Sequence, residues 1–106
     1  MIIGYAISQL QGTDENERDW RFMSYDFAIN HGFSLDKYTC VWTDNTIEYA
    51  DDKCNELLDE LYYIFNMNHP AEFQGHSLSM SDIVTLEYDS GDIRNFYVDR
   101  IGFTEI

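Results

Sequence analysis

Apolar positions along this chain recur at two spacings, and the switches between them mark its elements. Ile3, Tyr5 and Ile7 alternate with smaller or polar neighbours, the period-2 pattern of a strand with one buried face, and predict a first strand over residues 2–8. The stretch Gln11-Gly12-Thr13-Asp14-Glu15-Asn16-Glu17 is polar, carries turn formers and has no apolar period, as expected of a solvated connection. An aromatic run follows. Within Trp20, Phe22, Met23, Tyr25, Phe27 and Ile29, positions 22/25/29 and 23/27 stand at helical spacings, so a short helix is expected near residues 24–31, capped by Ser24 and stopped at Gly32. Tyr38 to Thr43 is almost wholly β-branched or aromatic, which suits a half-buried pleated surface and predicts the second strand.

Beyond Asp44-Asn45-Thr46 the spacing becomes helical. Cys54, Leu57, Leu58, Leu61, Ile64 and Phe65 recur at three and four, with Asp52, Glu56, Asp59 and Glu60 on the other side, predicting a helix over about 51–66 that Asp51 or Asp52 caps. Pro70 disfavours helical geometry at His69 and closes it. Ser77-Leu78-Ser79-Met80-Ser81-Asp82 places an apolar residue at every second position and ends in a Ser-Asp pair able to make local turn hydrogen bonds. Ile83 to Tyr88 and Ile93 to Val98 flank the turn signal Asp89-Ser90-Gly91-Asp92 and should pair as a hairpin. Ile101, Phe103 and Ile106 supply a last short extended piece. The expected architecture is α+β: a small, mostly antiparallel sheet of four to five strands with two helices packed on one side.

At 106 residues the chain has room for one domain, taken here as residues 1–106. Its apolar and aromatic content, 44% and 16%, separates it from disordered acidic tails, which cannot offset their ordering entropy. Twenty acids against six Lys and Arg give a net charge of −14. Such a surface repels nucleic-acid phosphate and anionic lipid, so no direct nucleic-acid or membrane partner is expected. The opening Met1-Ile2-Ile3-Gly4 lacks the basic region and apolar stretch of a signal peptide, and the expected location is the cytoplasm. Cys40 and Cys54 form no C-x-x-C, and His31, His69 and His76 are scattered, so no metal or other cofactor is expected and the cysteines read as reduced and packed.

The C-terminal half carries a long ordered motif. Ile64-Phe65-Asn66-Met67-Asn68-His69-Pro70, then Phe73-Gln74-Gly75-His76-Ser77-Leu78-Ser79-Met80-Ser81-Asp82-Ile83-Val84, and finally Phe96-Tyr97-Val98-Asp99-Arg100-Ile101-Gly102-Phe103, resemble the YodL-like domain. The N-terminal Tyr5-Ala6-Ile7-Ser8-Gln9-Leu10 and Arg21-Phe22-Met23-Ser24-Tyr25-Asp26 are similar to the opening of longer members, with Ser24 where that pattern has Pro. The resemblance covers nearly the whole chain. It implies a setting in conjugative transposons, prophages and related mobile elements of Firmicutes, and it transfers no catalytic residue. Physically the motif reads as scaffold: Phe65, Phe73, Leu78, Met80, Ile83, Val84, Tyr97, Ile101 and Phe103 as core, with Gly75 and Gly102 in backbone conformations closed to other residues.

Its polar members, His69, His76, Ser77, Ser79, Ser81 and Asp82, are raw material for acyl transfer, but no G-x-S-x-G elbow accompanies them, and a Ser-Asp pair before a strand is commonly a capping device. A small enzyme using His76 with Ser77 or Asp82 is therefore the weakest reading, and the chain is expected not to be an enzyme. The densest charge lies between residues 44 and 60, where Asp44, Glu48, Asp51, Asp52, Glu56, Asp59 and Glu60 face only Lys53. Asp52, Glu56 and Glu60 fall on one helix face at steps of about 6 Å, against one phosphate per about 3.4 Å of a DNA strand, so the row imitates a strand coarsely. The leading expectation is a non-catalytic acidic protein whose Glu48, Asp52, Glu56, Asp59 and Glu60 meet a basic surface on a host nuclease or other nucleic-acid-binding protein. That would be an inhibitor of the anti-CRISPR or anti-restriction kind, with DNA mimicry as one form it could take. The alternative is an accessory interaction module of the element, using Trp20, Trp42, Tyr62 and Tyr63 as its surface.

Overall fold

The alternation at the N-terminus builds strand β1, Ile2–Gln9, and the β-branched and aromatic segment builds β2, Thr39–Asp44. The computed structural model describes residues 1–10 and 20–106, so the polar connection expected at 11–17 lies outside the described residues. Helices α1, Tyr25–Ile29, and α2, Cys54–Met67, and strands β3, Ile83–Tyr88, β4, Ile93–Val98, and β5, Phe103–Glu105, complete the fold. The strands form one sheet in the order β2-β1-β3-β4-β5, with every neighbouring pair antiparallel. The α+β class and the antiparallel sheet are as expected from the sequence.

The placement of the helices is not. In the β3–β4 ladder Val84 pairs with Phe96 and the adjacent Ile83 with Tyr97, so the two pairs face opposite sides of the sheet. Val84 and Phe96 pack with Leu57, Leu58, Leu61 and Phe65 of α2. Ile83 and Tyr97 pack with Leu10, Trp20 and Ala28, so α1 lies on the other face. The cause is legible in β3, which is apolar on both faces at Ile83-Val84 and on one face only further along, where Glu87 is exposed. The aromatic segment 20–38 covers that end, with Trp20 buried and Tyr25, Phe27, Phe33 and Tyr38 partly buried around it.

Local chemistry sets the boundaries. The Ser24 hydroxyl accepts from the Phe27 N–H and caps α1, the role expected of it. Phe22, Met23 and Ile29 are exposed despite their helical spacing, and Phe22 has φ +65°, outside the helix. Asp51 and Asp52 lie in a 3-10 turn, Asp51–Lys53, that precedes α2; neither caps the helix by hydrogen bond, and they contribute only negative charge at its positive end. The expected hairpin forms, with Gly91 at φ +91° and the Tyr88 N–H bonded to the Asp92 carbonyl at 2.9 Å.

Phe65, Phe73, Leu78, Ile83, Val84 and Tyr97 are buried as expected, and Met80 and Phe103 are half-buried, but Ile101 is 89% exposed. A tight turn explains it: the Asp99 N–H bonds the Gly102 carbonyl at 3.0 Å and Gly102 sits at φ +67°, leaving Ile101 at the tip. Both cysteines are free; Cys54 packs on the core, whereas Cys40 is exposed because β2 is an edge strand.

Candidate functional site

The amphipathic pattern of α2 turns Leu57, Leu58, Leu61 and Phe65 inward and leaves its acids outside. Asp52, Glu56, Asp59 and Glu60 are exposed, and so is Glu48. Glu48 is held beside the helix because Tyr49 bridges to Ile2 through two backbone hydrogen bonds and donates its hydroxyl to Glu60 at 2.6 Å. That bond to a carboxylate, more than burial, pushes the Tyr49 phenol up to about 12. Lys53 approaches Glu56 at 3.3 Å, an exposed pair that screens little of the surrounding charge. The five residues predicted as contacts are therefore all exposed, with Glu60 beside Tyr49 of the linker and Asp59 over the β4–β5 side of α2.

The aromatic surface expected as the alternative is reduced. Trp20 is buried, its Nε1–H donating to the Tyr38 hydroxyl at 3.0 Å, and Trp42 is half-buried against Phe65 and Phe73. Tyr62 and Tyr63 remain exposed, joined by Met67 on the same helix as the acids. Between α2 and the β4–β5 edge runs a cavity of about 520 Å³ lined by Leu58, Asp59, Arg94, Phe96 and Phe103, with Arg94 paired to Glu105 through two nitrogens.

The polar motif residues converge elsewhere, on Gln9 at the end of β1. Gln9 is fully buried; its Nε2 donates to the His76 carbonyl at 2.8 Å and to Asp82 Oδ2 at 3.1 Å, and its Oε1 accepts from the His76 N–H at 3.2 Å. Asp82 Oδ2 also accepts the Ser79 N–H at 2.8 Å, the capping role expected of the Ser-Asp pair. Ser81 stands at φ +85°, a conformation unusual for a residue with a Cβ. Its N–H donates to Val98, its hydroxyl accepts from the Phe22 N–H and its carbonyl from the Tyr38 hydroxyl, so three neighbouring segments hold it there. Burial pushes the Asp82 carboxyl up to about 7, while the bonds from Ser79 and Gln9 and the charge of Arg21 pull it down.

This is not the geometry of a nucleophilic triad. A triad histidine directs one nitrogen to a carboxylate and the other to a hydroxyl. His76 directs Nε2 towards Asp82, at 3.7 Å, and Nδ1 to the carbonyl of Ser77, at 2.8 Å. The Ser79 hydroxyl donates to the same carbonyl at 2.7 Å. His69 lies apart, exposed, its ring against Phe73. Among the described residues no group of three or more His, Cys, Asp and Glu is placed to hold a metal ion, and no helix is long and apolar enough to cross a membrane.

Gly75 serves this cluster through space rather than through backbone freedom. A Cβ there would lie 2.5 Å from Gln9 Oε1 and 2.7 Å from Phe73 Cζ, both in the packed interior. Gly75→Ala is therefore expected to cost about 1–3 kcal/mol, the usual range for overpacking. Urea denaturation checks this, and a loss below about 0.5 kcal/mol, the level of an ordinary surface change, would show that the segment yields freely.

A family model described as YodL-like domain matches residues 4–106. No curated protein and no solved structure matches the chain.

Proposed function

The chain belongs to the YodL-like domain family, and from that premise we propose that it is a non-catalytic binding protein of a mobile genetic element, acting in the cytoplasm on a basic surface of a host nucleic-acid-handling protein. The observation that carries this reading is the common exposure of Glu48, Asp52, Glu56, Asp59 and Glu60, with Lys53 as the one cation amid them in sequence. Acids at i and i+4 along a helix repel by a few tenths of a kcal/mol, about 0.2–0.5 per pair, so the face is kept acidic at a small cost in stability. A row with steps of about 6 Å imitates a phosphate backbone only coarsely. It is suited to occupying a basic groove, as an anti-CRISPR or anti-restriction inhibitor or a DNA mimic does.

The reading predicts affinity that falls steeply with salt, because exposed charges more than about 8 Å apart are screened at physiological ionic strength. The test is capture from host lysate at low and high salt, comparing wild type with the triple variant Asp52→Lys, Glu56→Lys, Glu60→Lys. Wild type at low salt is expected to retain a nuclease or other nucleic-acid-binding protein and the variant to lose it. All three side chains are exposed, so the melting temperature should move by only a few degrees. Undiminished capture by the variant overturns the proposal. A second reading draws on the exposure of Tyr62, Tyr63 and Met67: an accessory module whose binding tolerates salt and is lost on Tyr62→Ala with Tyr63→Ala.

A further inference from the structure

The hydrogen bonds around His76 and Asp82 leave a proton to be placed between them. Nδ1 of His76 lies 2.8 Å from the Ser77 carbonyl oxygen, which only accepts, so Nδ1 carries a hydrogen. In the neutral imidazole Nε2 is then a bare lone pair, and this atom is buried without a hydrogen-bond partner. Facing it at 3.7 Å is Asp82 Oδ1, on a side chain only 2% exposed. The two donors that bond Asp82, the Gln9 amide and the Ser79 N–H, both reach the other oxygen, Oδ2. An ionised Asp82 beside a neutral His76 would set two lone pairs against each other at a buried contact. One proton, on Oδ1 or on Nε2, converts the same contact into a hydrogen bond after a small rotation of the ring.

We propose that His76 and Asp82 share a single proton, and that this proton latches the segment 73–82 onto β1 and onto residues 20–22, so that its loss loosens the latch. The segment is fastened through the atoms this pair organises: Gln9 of β1 bonds the His76 backbone on both sides, and the Phe22 ring packs edge-on against the His76 ring at 6.0 Å.

The charged and titratable groups around Asp82 come from several elements. Arg21, ahead of α1, has a buried Nε without a partner among the described residues, and its charge favours the ionised carboxylate. Tyr38, ahead of β2, and Tyr97, on β4, have hydroxyls that burial pushes well above their ordinary values, so both stay neutral through the range concerned. Burial of the carboxyl outweighs Arg21 and sets the transition near pH 7. A carboxyl raised on folding contributes stability that is fully present below its unfolded value near 3.8 and is lost as pH rises through about 7.

Two measurements on the full chain decide the matter. In an NMR titration of the wild type, the Asp82 Cγ resonance and the Ser79 amide should move together near pH 7 instead of near 3.8, and at pH 5 the His76 Nε2 resonance should be that of a hydrogen-bonded nitrogen. An Asp82 resonance already that of a carboxylate at pH 5, or a His76 Nε2 resonance with no hydrogen bond there, overturns the proposal. Second, in Asp82→Asn the amide oxygen meets the Gln9 and Ser79 donors and the amide nitrogen donates to Nε2, so the amide stands in for the protonated carboxyl without its titrating proton. The urea midpoint should then fall between pH 5 and pH 8 in wild type and lose most of that fall in the variant. An equal fall in both overturns the latch. Should the variant fail to fold, the wild-type titration still decides.

Discussion

Phe65→Ala is expected to remove about 3–5 kcal/mol of folding stability, the range found for buried Phe-to-Ala truncations. Phe65 is fully buried on α2, and its ring meets three aromatic partners edge-on: Tyr5 of β1 at 6.2 Å, Trp42 of β2 at 6.0 Å and Phe73 of the following segment at 4.9 Å. These rings belong to separate elements, so no single neighbour fills the space, and the cavity term adds to the lost transfer energy. The Phe65 carbonyl also accepts the Leu78 N–H at 3.3 Å, so a shift of the helix disturbs the motif segment as well. Domains of this size are stable by about 5–15 kcal/mol, and the loss leaves a marginal protein. Urea denaturation of the variant checks it. A loss below about 1.5 kcal/mol, typical of a volume-conserving swap, would mean that this junction repacks and does not organise the core.

The strands and α2 were legible because each carries one dominant period. Leu57, Leu58, Leu61 and Phe65 are both the residues that repeat at three and four and the residues that α2 buries. The arrangement of the layers was less visible. A period-2 reading of Ile83-Val84-Thr85-Leu86 assigns alternate residues to opposite faces but leaves open whether the second face is covered, and only the aromatic density of residues 20–38 hints that it is. That density misleads in its turn. Phe22, Met23 and Ile29 share helical spacing with Tyr25 and Phe27, yet α1 spans five residues, too short for a period to decide which side is buried. Ile101 escaped for the reason that periodicity does not see turns: the Gly102 that permits the bend also carries Ile101 outwards.

At the candidate site the acids could be located from sequence, because a helix with one apolar stripe must expose the other side. Tyr49, which ties Glu48 to Glu60, could not, since its bridge to Ile2 depends on the path of an irregular linker. Gly75 was identified as special for the wrong physical cause, because close approach to Gln9 and Phe73 is a property of the folded neighbourhood and not of the local backbone. Gln9 was the residue missed, although a signal existed. It continues the Tyr5, Ile7 alternation into the core, and a polar side chain at a core position of a strand calls for partners.

Gln9→Leu should accordingly be among the most damaging substitutions at a polar position, with an expected loss of about 3–5 kcal/mol from two orphaned backbone groups at about 1–3 kcal/mol each and one lost bond to a carboxyl, partly relieved by relaxation. Leucine fills similar space but strands the His76 N–H and the His76 carbonyl and removes one of the two donors on Asp82 Oδ2. The lost donor also shifts Asp82. The Gln9 amide holds the carboxyl down against burial, so in the variant the proton should be retained to higher pH than in wild type, and the NMR transition near 7 should move upwards. Gln9→Glu separates polarity from volume. It keeps an acceptor for the His76 N–H, removes both donors and sets a second carboxyl against Asp82, so its stability should recover on acidification as one carboxyl takes up a proton. If Gln9→Leu instead matched wild type within about 0.5 kcal/mol, as an ordinary surface change does, Gln9 would be a filler and the polar cluster would hold without it.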